Sequence, residues 1–352
     1  LHETARDCHF NGLPAEAATL CRGALEMAEL LGAVRVQTEA LTTLSILPDI
    51  PHEEAISVLT QAIELAESAG LLDQAARAHN NLGASLVDPQ AAREHFVRAA
   101  ELQRQRGEIA SEVFSACNAA NESLWLGDLA AVEKKLPSLW QLLDAVEEPD
   151  MMAMNLREVE AALQRFQGEL AEALEGQRAL RREARAVGNL QLLGGVSVRL
   201  AFACLWEEVG DEEEVEAILQ ELLDLSERWT AAAIPARTLL SVQRARQGKP
   251  EAARQLLARA HEQAAVLEQI VSWKPYLLWA EAHLAMAGGR WPEALAAFEA
   301  GVDALGRRKL RWHRARTLID WAEAHLSRGE SGGRERALEL LREAEALSLI
   351  HI

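Results

Sequence analysis

The stretch AGGRWPEALAAFEAGVDAL, residues 287–305, decides the fold of this chain. A double glycine precedes a Trp-Pro pair, and Ala294, Phe298 and Gly301 then follow at intervals of four and three. Those intervals place the three residues on one face of a helix. The glycines are open to two interpretations, a loop that holds a ligand or a tight turn that joins two packed helices. Recurrence of the pattern elsewhere in the chain decides between them.

Weaker copies of this stretch recur along the whole sequence, for example GKPEAARQLLARAHEQA from Gly248 and GELAEALEGQRALRREA from Gly168. Each copy contains a small or branched anchor residue, and neighbouring anchors lie 37 to 43 residues apart. The anchors are Ala17, Ala55, Ala92, Val132, Ala173, Val215, Ala253, Ala294 and Ala337. Another small or apolar residue stands seven positions after each anchor, so one helical face is apolar over two turns. The recurring glycines therefore indicate turns between helices.

Close packing explains this pattern. Small anchors let two antiparallel helices approach each other, and glycine permits the turn between them. Proline, as at Pro250 or Pro292, suits the first turn of the following helix. One such pair cannot bury its apolar face alone, whereas stacked pairs complete each other's core. Aromatic residues make up only 5% of the chain, which leaves strands little to use, so we predict an all-α protein.

The repeats resemble the tetratricopeptide repeat (TPR) family, on the evidence of AHNNLGASL around Leu82 and Gly83 and of WPEALAAFEAG around Ala294 and Phe298. The unit of about 40 residues exceeds the family's usual unit of about 34. Gly83 also stands nine residues before Ala92 where the family pattern expects twelve. Longer helices and a trimmed turn in the third unit explain both departures. The resemblance implies a right-handed α-solenoid of about nine TPR-like antiparallel helix pairs over residues 1–347.

Long, degenerate repeats of this kind also resemble the C-terminal TPR sensor regions of MalT/LuxR-like signal-transduction ATPases and of AAA-ATPase/cyclase regulators. The chain begins at Leu1 already in helical rhythm, so we expect a fragment of a longer protein. Residues 348–352 abandon the preceding pattern, and we expect a non-native or disordered tail there. The resemblance implies a regulatory ATPase domain in the same parent chain as one partner.

Composition disfavours several other classes of partner and location. A formal net charge of −18 repels nucleic acid and anionic membrane surfaces at long range. The four cysteines are scattered, with no CxxC pair, which favours reduced thiols in a cytoplasmic protein. No apolar run approaches the roughly 20 residues of a membrane span, so we expect no membrane association.

Catalytic motifs fail on spacing. GKP at Gly248 lacks the neighbours of a phosphate-binding loop, and GGVS at Gly194 lacks the trailing glycine of a nucleophile elbow. HEQAA at His261 begins like a zinc motif, but Ala265 stands where the second histidine is needed. We therefore predict no catalytic residue, no metal site and no cofactor, and hence no enzyme.

Five residues are candidates for binding, because TPR helix A positions face a concave groove in the family. Asn118 and Asn121 fall at two such positions, where their amides would hydrogen-bond an extended peptide. Tyr276, Trp279 and His283 share one helix face and would hold an apolar or ring-shaped ligand. The alternatives are solvent-facing or inter-repeat asparagines and an aromatic stripe buried between repeats. Burial of Trp279 would contradict the ligand site.

Charge is segregated in the C-terminal half. Residues 207–216 contain seven acids and no base, whereas residues 307–316 contain six bases and no acid. The acidic run straddles a predicted helix start, where the backbone dipole favours carboxylates, so we assign it a structural role. For the basic run we favour a solvated helix junction or a domain contact over nucleic acid.

The main functional prediction is a protein–protein interaction scaffold or regulatory domain that binds a partner protein or peptide segment in a concave groove. The alternative prediction is a small-ligand sensor that controls a linked signalling ATPase or transcription regulator. The fold already meets the needs of a scaffold, whereas a sensor needs a ligand pocket that the sequence does not locate.

Overall fold

The structure, a computed structural model, describes residues 3–5, 8, 14–47, 50–147, 150–226, 232–266 and 273–348. These ranges are helical and contain no strand, which confirms the all-α prediction. The helices are α1 (Pro14–Leu31), α2 (Val34–Leu44), α3 (His52–Ser68), α4 (Leu72–Ser85), α5 (Pro89–Arg106), α6 (Ile109–Leu126), α7 (Leu129–Leu143), α8 (Asp150–Gln167), α9 (Leu170–Ala186), α10 (Leu190–Glu207), α11 (Glu212–Leu225), α12 (Ala233–Arg246), α13 (Pro250–Val266), α14 (Lys274–Ala287), α15 (Trp291–Arg307), α16 (Arg311–Arg328) and α17 (Gly333–Ser348).

The repeat anchors all lie on the odd-numbered helices, one per helix, and none of them is more than 3% exposed. The residues seven positions later are buried as well. Six of the odd-numbered helices pack on the even-numbered helix before them, as α5 does on α4 and α17 on α16. The sequence period therefore identified the buried face of every odd-numbered helix correctly, and the TPR-like helical repeat is confirmed.

The double glycine of the opening stretch is a turn between helices. Gly288 ends α14, and Gly289 adopts a left-handed φ of 67°, which glycine reaches without a steric penalty. The amide of Arg290 donates to the carbonyl of Ala285 at 2.9 Å, which satisfies a helix-end acceptor. Pro292 occupies the first turn of α15. No ligand is needed to explain the two glycines.

Two glycines inside helices differ in how closely a neighbour approaches. A Cβ added to Gly83 would lie 2.9 Å from the ring of Phe96, which is 4% exposed and packed between α4 and α5. A Cβ added to Gly301 would meet only ordinary contacts, the nearest being Leu278 and Pro275 at 3.7 Å. Gly83 therefore permits a close helix approach that a side chain would obstruct.

We expect Gly301→Ala to raise the free energy of unfolding by up to about 1 kcal/mol, because alanine is the better helix former. Gly83→Ala gains the same propensity but forces the Phe96 ring to move, and overpacking of this kind costs about 1–3 kcal/mol. We expect a net loss there. Urea unfolding followed by circular dichroism at 222 nm measures both variants, and equal shifts of the two midpoints would contradict the packing argument.

Contacts divide the chain into two compact units. Unit 1 comprises the described residues up to Ser123 together with Ala131–Leu156. Unit 2 comprises Leu124–Ala130 and the described residues from Arg157 to Ser348. A single solenoid over residues 1–347 and its right-handed sense stay predictions. Of the predicted tail 348–352, Ser348 ends α17, and residues 349–352 lie outside the described residues.

Helix α10 is the most apolar element of unit 2. It has the length and mean hydropathy of a membrane span, 18 residues and 1.2, and 67% of those residues are buried inside the protein. A helix that is apolar all round is expected in the core of a large helical unit. Its neighbours α12, α14 and α16 contribute to the same hydrophobic core.

Candidate functional site

In unit 1, one face of α6 carries Phe114, Asn118 and Asn121 at positions i, i+4 and i+7. Phe114 is 37% exposed, and both asparagines are half-buried. Asn118 donates through Nδ2 to Oδ1 of Asn80 on α4 at 3.2 Å, and Ser115 donates to the same oxygen at 3.3 Å. Among the described residues, the side chain of Asn121 has no hydrogen-bond partner. The face therefore presents amides next to an exposed ring, and their binding role stays a prediction.

Tyr276, Trp279 and His283 share a face of α14, as predicted, but that face points into unit 2. The three side chains are 7%, 1% and 9% exposed. Trp279 stacks on Trp206 of α10 with ring centroids 4.7 Å apart, and its Nε1 donates to Asp320 of α16 at 2.7 Å. We therefore correct the assignment of these three residues to an open groove. Tyr276 and Trp279 are core residues, because the apolar faces of α10, α14 and α16 meet inside unit 2, whereas His283 lies at the edge of that core and borders a cavity.

Next to this aromatic core, unit 2 buries a histidine and an arginine among aromatic rings. His313 is fully buried, stacks on Trp125 with centroids 4.4 Å apart, and has no hydrogen-bond partner at either ring nitrogen. Burial lowers the pKa of His313 well below its usual value, and the guanidinium of Arg165 lowers it further. Arg165 lies over the rings of Phe166 and Trp312, at 5.2 and 5.0 Å, and burial lowers its pKa to about 10. Cation–π contacts offset part of that burial cost.

Asp320 joins the aromatic core to a charged network. Burial raises its pKa, but the ring of His283, the guanidinium of Arg316 and the indole N–H of Trp279 outweigh burial, and the net direction is downward. Arg316 lies 3.2 Å from Oδ1 of Asp320 and donates to Glu208 at 2.9 Å. The acidic and basic runs of the sequence therefore meet at this point. Glu208 itself has a left-handed φ of 56°, an uncommon backbone for a non-glycine residue.

One group of carboxylates has the spacing of a metal site. Oxygens of Glu208, Asp320 and Glu323 all lie within 4.8 Å of one another. The guanidinium of Arg316 already contacts two of these three carboxylates. A metal ion would have to displace that arginine, so the geometry favours an internal ion-pair network over metal coordination.

Neither a family model nor a curated protein matches this sequence. Solved structures do match. The crystal structure of a Rap protein complexed with competence and sporulation factor aligns with a TM-score of 0.66 at 13% identity and covers 100% of both chains. This chain has a TPR-like helical-repeat fold. Aspartyl phosphate phosphatase F from Bacillus subtilis aligns with a TM-score of 0.59 at 13% identity, over 98% of this chain and 93% of that one. At such identity the likeness concerns the fold alone, and the resemblance to MalT/LuxR-like regulators stays a prediction.

The sequence pattern missed the polar residues of unit 2. Asp320 and Glu323 lie on α16, and Gln243 and Arg246 lie in the last turn of α12, without any motif around them. The signal that was present is the segregation of charge, because opposite charges attract where the fold brings the two runs together. The structure pairs the two runs through Arg316 and Glu208, which the sequence interpretation of each run by itself did not predict.

Proposed function

We propose that this TPR-like chain is a protein-interaction module whose α6 face binds an extended segment of a partner protein. The observation that carries the proposal is the position of Asn118 and Asn121, half-buried on one face of a helix A, beside the exposed ring of Phe114. No catalytic step is part of the proposal.

Side-chain amides suit this task because each supplies both a donor and an acceptor, the same groups that an extended peptide backbone presents. Asn118 is already oriented by its hydrogen bond to Asn80, so binding needs little additional ordering. Phe114 offers apolar area for a side chain of the bound segment. One amide hydrogen bond contributes about 0.5–1.5 kcal/mol, so two asparagines set the register while apolar contacts supply the rest.

The likeness of the fold supports the proposal. One structural neighbour, a Rap protein, was solved in complex with competence and sporulation factor, so this fold accommodates a bound factor in that protein. A finer proposal, that the chain docks on a regulatory ATPase domain of its own parent protein in the cytoplasm, rests on the sequence resemblance. The sensor alternative rests on the cavity of unit 2 described below.

We expect a peptide selected from a displayed random library against this chain to bind less tightly when the two asparagines are removed. Each of Asn118→Ala and Asn121→Ala should weaken binding by about 3- to 10-fold, since each removes hydrogen bonds to the peptide backbone. Isothermal titration calorimetry with the selected peptide measures the effect.

Gln61→Ala is the matched control, because it removes an exposed amide from α3, an odd-numbered helix away from this face. It should leave the affinity within about twofold. The decisive variant carries both Asn118→Ala and Asn121→Ala. If the selected peptide binds that variant as tightly as the unmodified chain, the α6 face is not the binding site.

A further inference from the structure

A cavity of about 570 Å³ opens in unit 2, where four even-numbered helices end. The last turns of α10, α12 and α14 and the end of α16 all contribute to its wall. The volume lies within the range of about 300–1,000 Å³ that is usual for small-molecule sites. It is distinct from the α6 face of unit 1.

The wall of this cavity is acidic. It includes four acids and one base, namely Glu208, Asp211, Glu212, Glu323 and Arg246. The C-terminal ends of these four helices carry a partial negative charge, whereas only two helices, α11 and α15, place a partly positive N-terminal end at the cavity. Arg246 is already engaged, because it donates to the carbonyl of Leu205 at 2.6 Å and lies 3.6 Å from Glu208. The remaining charge favours a cation.

A buried acceptor without a partner lies in the same wall. Gln243 is 2% exposed, and its Nε2 donates to the backbone carbonyl of Glu212 at 2.8 Å. That bond fixes the amide and leaves Oε1 buried with no hydrogen-bond partner. An unsatisfied buried carbonyl is destabilising, and a ligand N–H that reaches Oε1 would supply the missing hydrogen bond.

His283 supplies a second acceptor. Its ring is 9% exposed and borders the cavity, and Nε2 lies 3.4 Å from the Asp320 carboxylate, which favours the tautomer with the proton on Nε2. Burial lowers the pKa of His283, which favours the neutral ring at pH 7. That tautomer leaves the lone pair on Nδ1, which is the nitrogen that can accept a hydrogen bond from a ligand.

The cation that fits is organic. Arg316 already occupies the space between Glu208 and Asp320, whereas Glu323 is exposed and forms no ion pair with any described residue. Apolar side chains, among them Val209, Met286 and Trp291, line the rest of the cavity. Apolar walls with a few convergent acceptors suit a ligand that carries one charge on a hydrocarbon stem.

We propose that this cavity binds an alkylammonium group on a short apolar chain. Glu323 neutralises the charge, Gln243 accepts one N–H through Oε1, and His283 accepts another. Either a free diamine or a lysine side chain of a partner protein has this chemistry.

Calorimetric titration of the chain with cadaverine and with Nα-acetyl-lysinamide tests the site. We expect saturable binding of at least one amine, about tenfold weaker in Glu323→Gln. Glu299→Gln, which removes an exposed acid on α15 that does not line the cavity, should change the affinity by less than twofold. Binding of cadaverine alone identifies a free amine as the ligand, and binding of the lysine derivative alone identifies a protein side chain. Both of those results support the proposal.

Three results would overturn it. The first is that neither amine saturates the chain at millimolar concentration. The second is that Glu323→Gln and Glu299→Gln bind the amines equally well. The third is that MgCl2 or CaCl2 displaces the amine, which would identify the carboxylates of the cavity wall as a metal site. Gln243→Leu tests the contribution of the amide separately from that of the Glu323 charge. It should weaken amine binding, while the helical signal in circular dichroism at 222 nm stays unchanged. Because the selected peptide and the amines use different units, failure of one test leaves the other standing.

Discussion

Replacing Trp279 by alanine is expected to lower the free energy of unfolding by about 4–6 kcal/mol, the largest effect of any single substitution considered. The indole is 1% exposed and stacks on Trp206 at 4.7 Å, so its removal opens a cavity in the core of unit 2. The substitution also deletes the hydrogen bond to Asp320, a carboxylate that is 1% exposed. Loss of a buried partner adds about 1–3 kcal/mol to the cavity cost.

Trp279→Phe separates the two contributions. Phenylalanine keeps most of the ring contact with Trp206 but lacks the N–H that Asp320 accepts, so we expect a loss of about 1–3 kcal/mol. Urea unfolding at pH 7, followed at 222 nm, gives both values. If the free energy of unfolding of Trp279→Ala lies within about 1 kcal/mol of that of the unmodified chain, Trp279 is not a core residue. The prediction of an exposed ligand-binding face would then stand.

Trp279 also shows where sequence periodicity stops being informative. The interval of three between Tyr276 and Trp279 established that the two share a face of α14. Which way that face points depends on contacts with residues far away along the chain, such as the hydrogen bond to Asp320 of α16, 41 residues from Trp279. A concave groove and an inter-repeat core have the same local pattern.

The buried faces of the odd-numbered helices were predictable because they depend on contacts that are close in the sequence. Ala55 and Ala294 occupy equivalent places in a repeat, and each packs against the helix directly before it. Small residues at such positions are required by local helix approach, so the sequence alone carries the information. The fold was therefore largely predictable, down to the turn at Gly289.

The candidate sites were only partly predictable. The shared face of Asn118 and Asn121 followed from helical spacing, and the structure adds their partner Asn80 and the exposed ring of Phe114. The cavity of unit 2 could not be predicted from the sequence, because its hydrogen-bond acceptors come from separate helices. Gln243 has no distinctive neighbours in the sequence, and its importance arises from a single hydrogen bond that leaves the other end of the amide unpaired.

His313 is expected to make the stability of the chain depend on pH between about 5 and 7. Its folded pKa lies well below 6.5, so below pH 6.5 the unfolded chain binds a proton at this position and the folded chain does not. The unfolded state then binds more protons, and the free energy of unfolding falls as the pH is lowered. From pH 7 to pH 5 this one group removes about 2 kcal/mol.

His313→Phe tests this directly, because phenylalanine keeps an aromatic ring beside Trp125 but does not titrate. We expect the unmodified chain to lose about 2 kcal/mol more than His313→Phe between pH 7 and pH 5 in urea unfolding.

His261→Gln is the control of opposite sign. A hydrogen bond to Glu281 raises the pKa of His261, so its contribution is present below pH 6.5 and is lost as the pH rises through the folded pKa. Removing His261 should therefore steepen the acid loss of stability, whereas removing His313 should flatten it. Parallel curves for the unmodified chain and His313→Phe would mean that the folded protein protonates His313 as readily as the unfolded chain does, which is incompatible with a ring buried among Trp125, Phe202 and Trp312 without a hydrogen-bond partner.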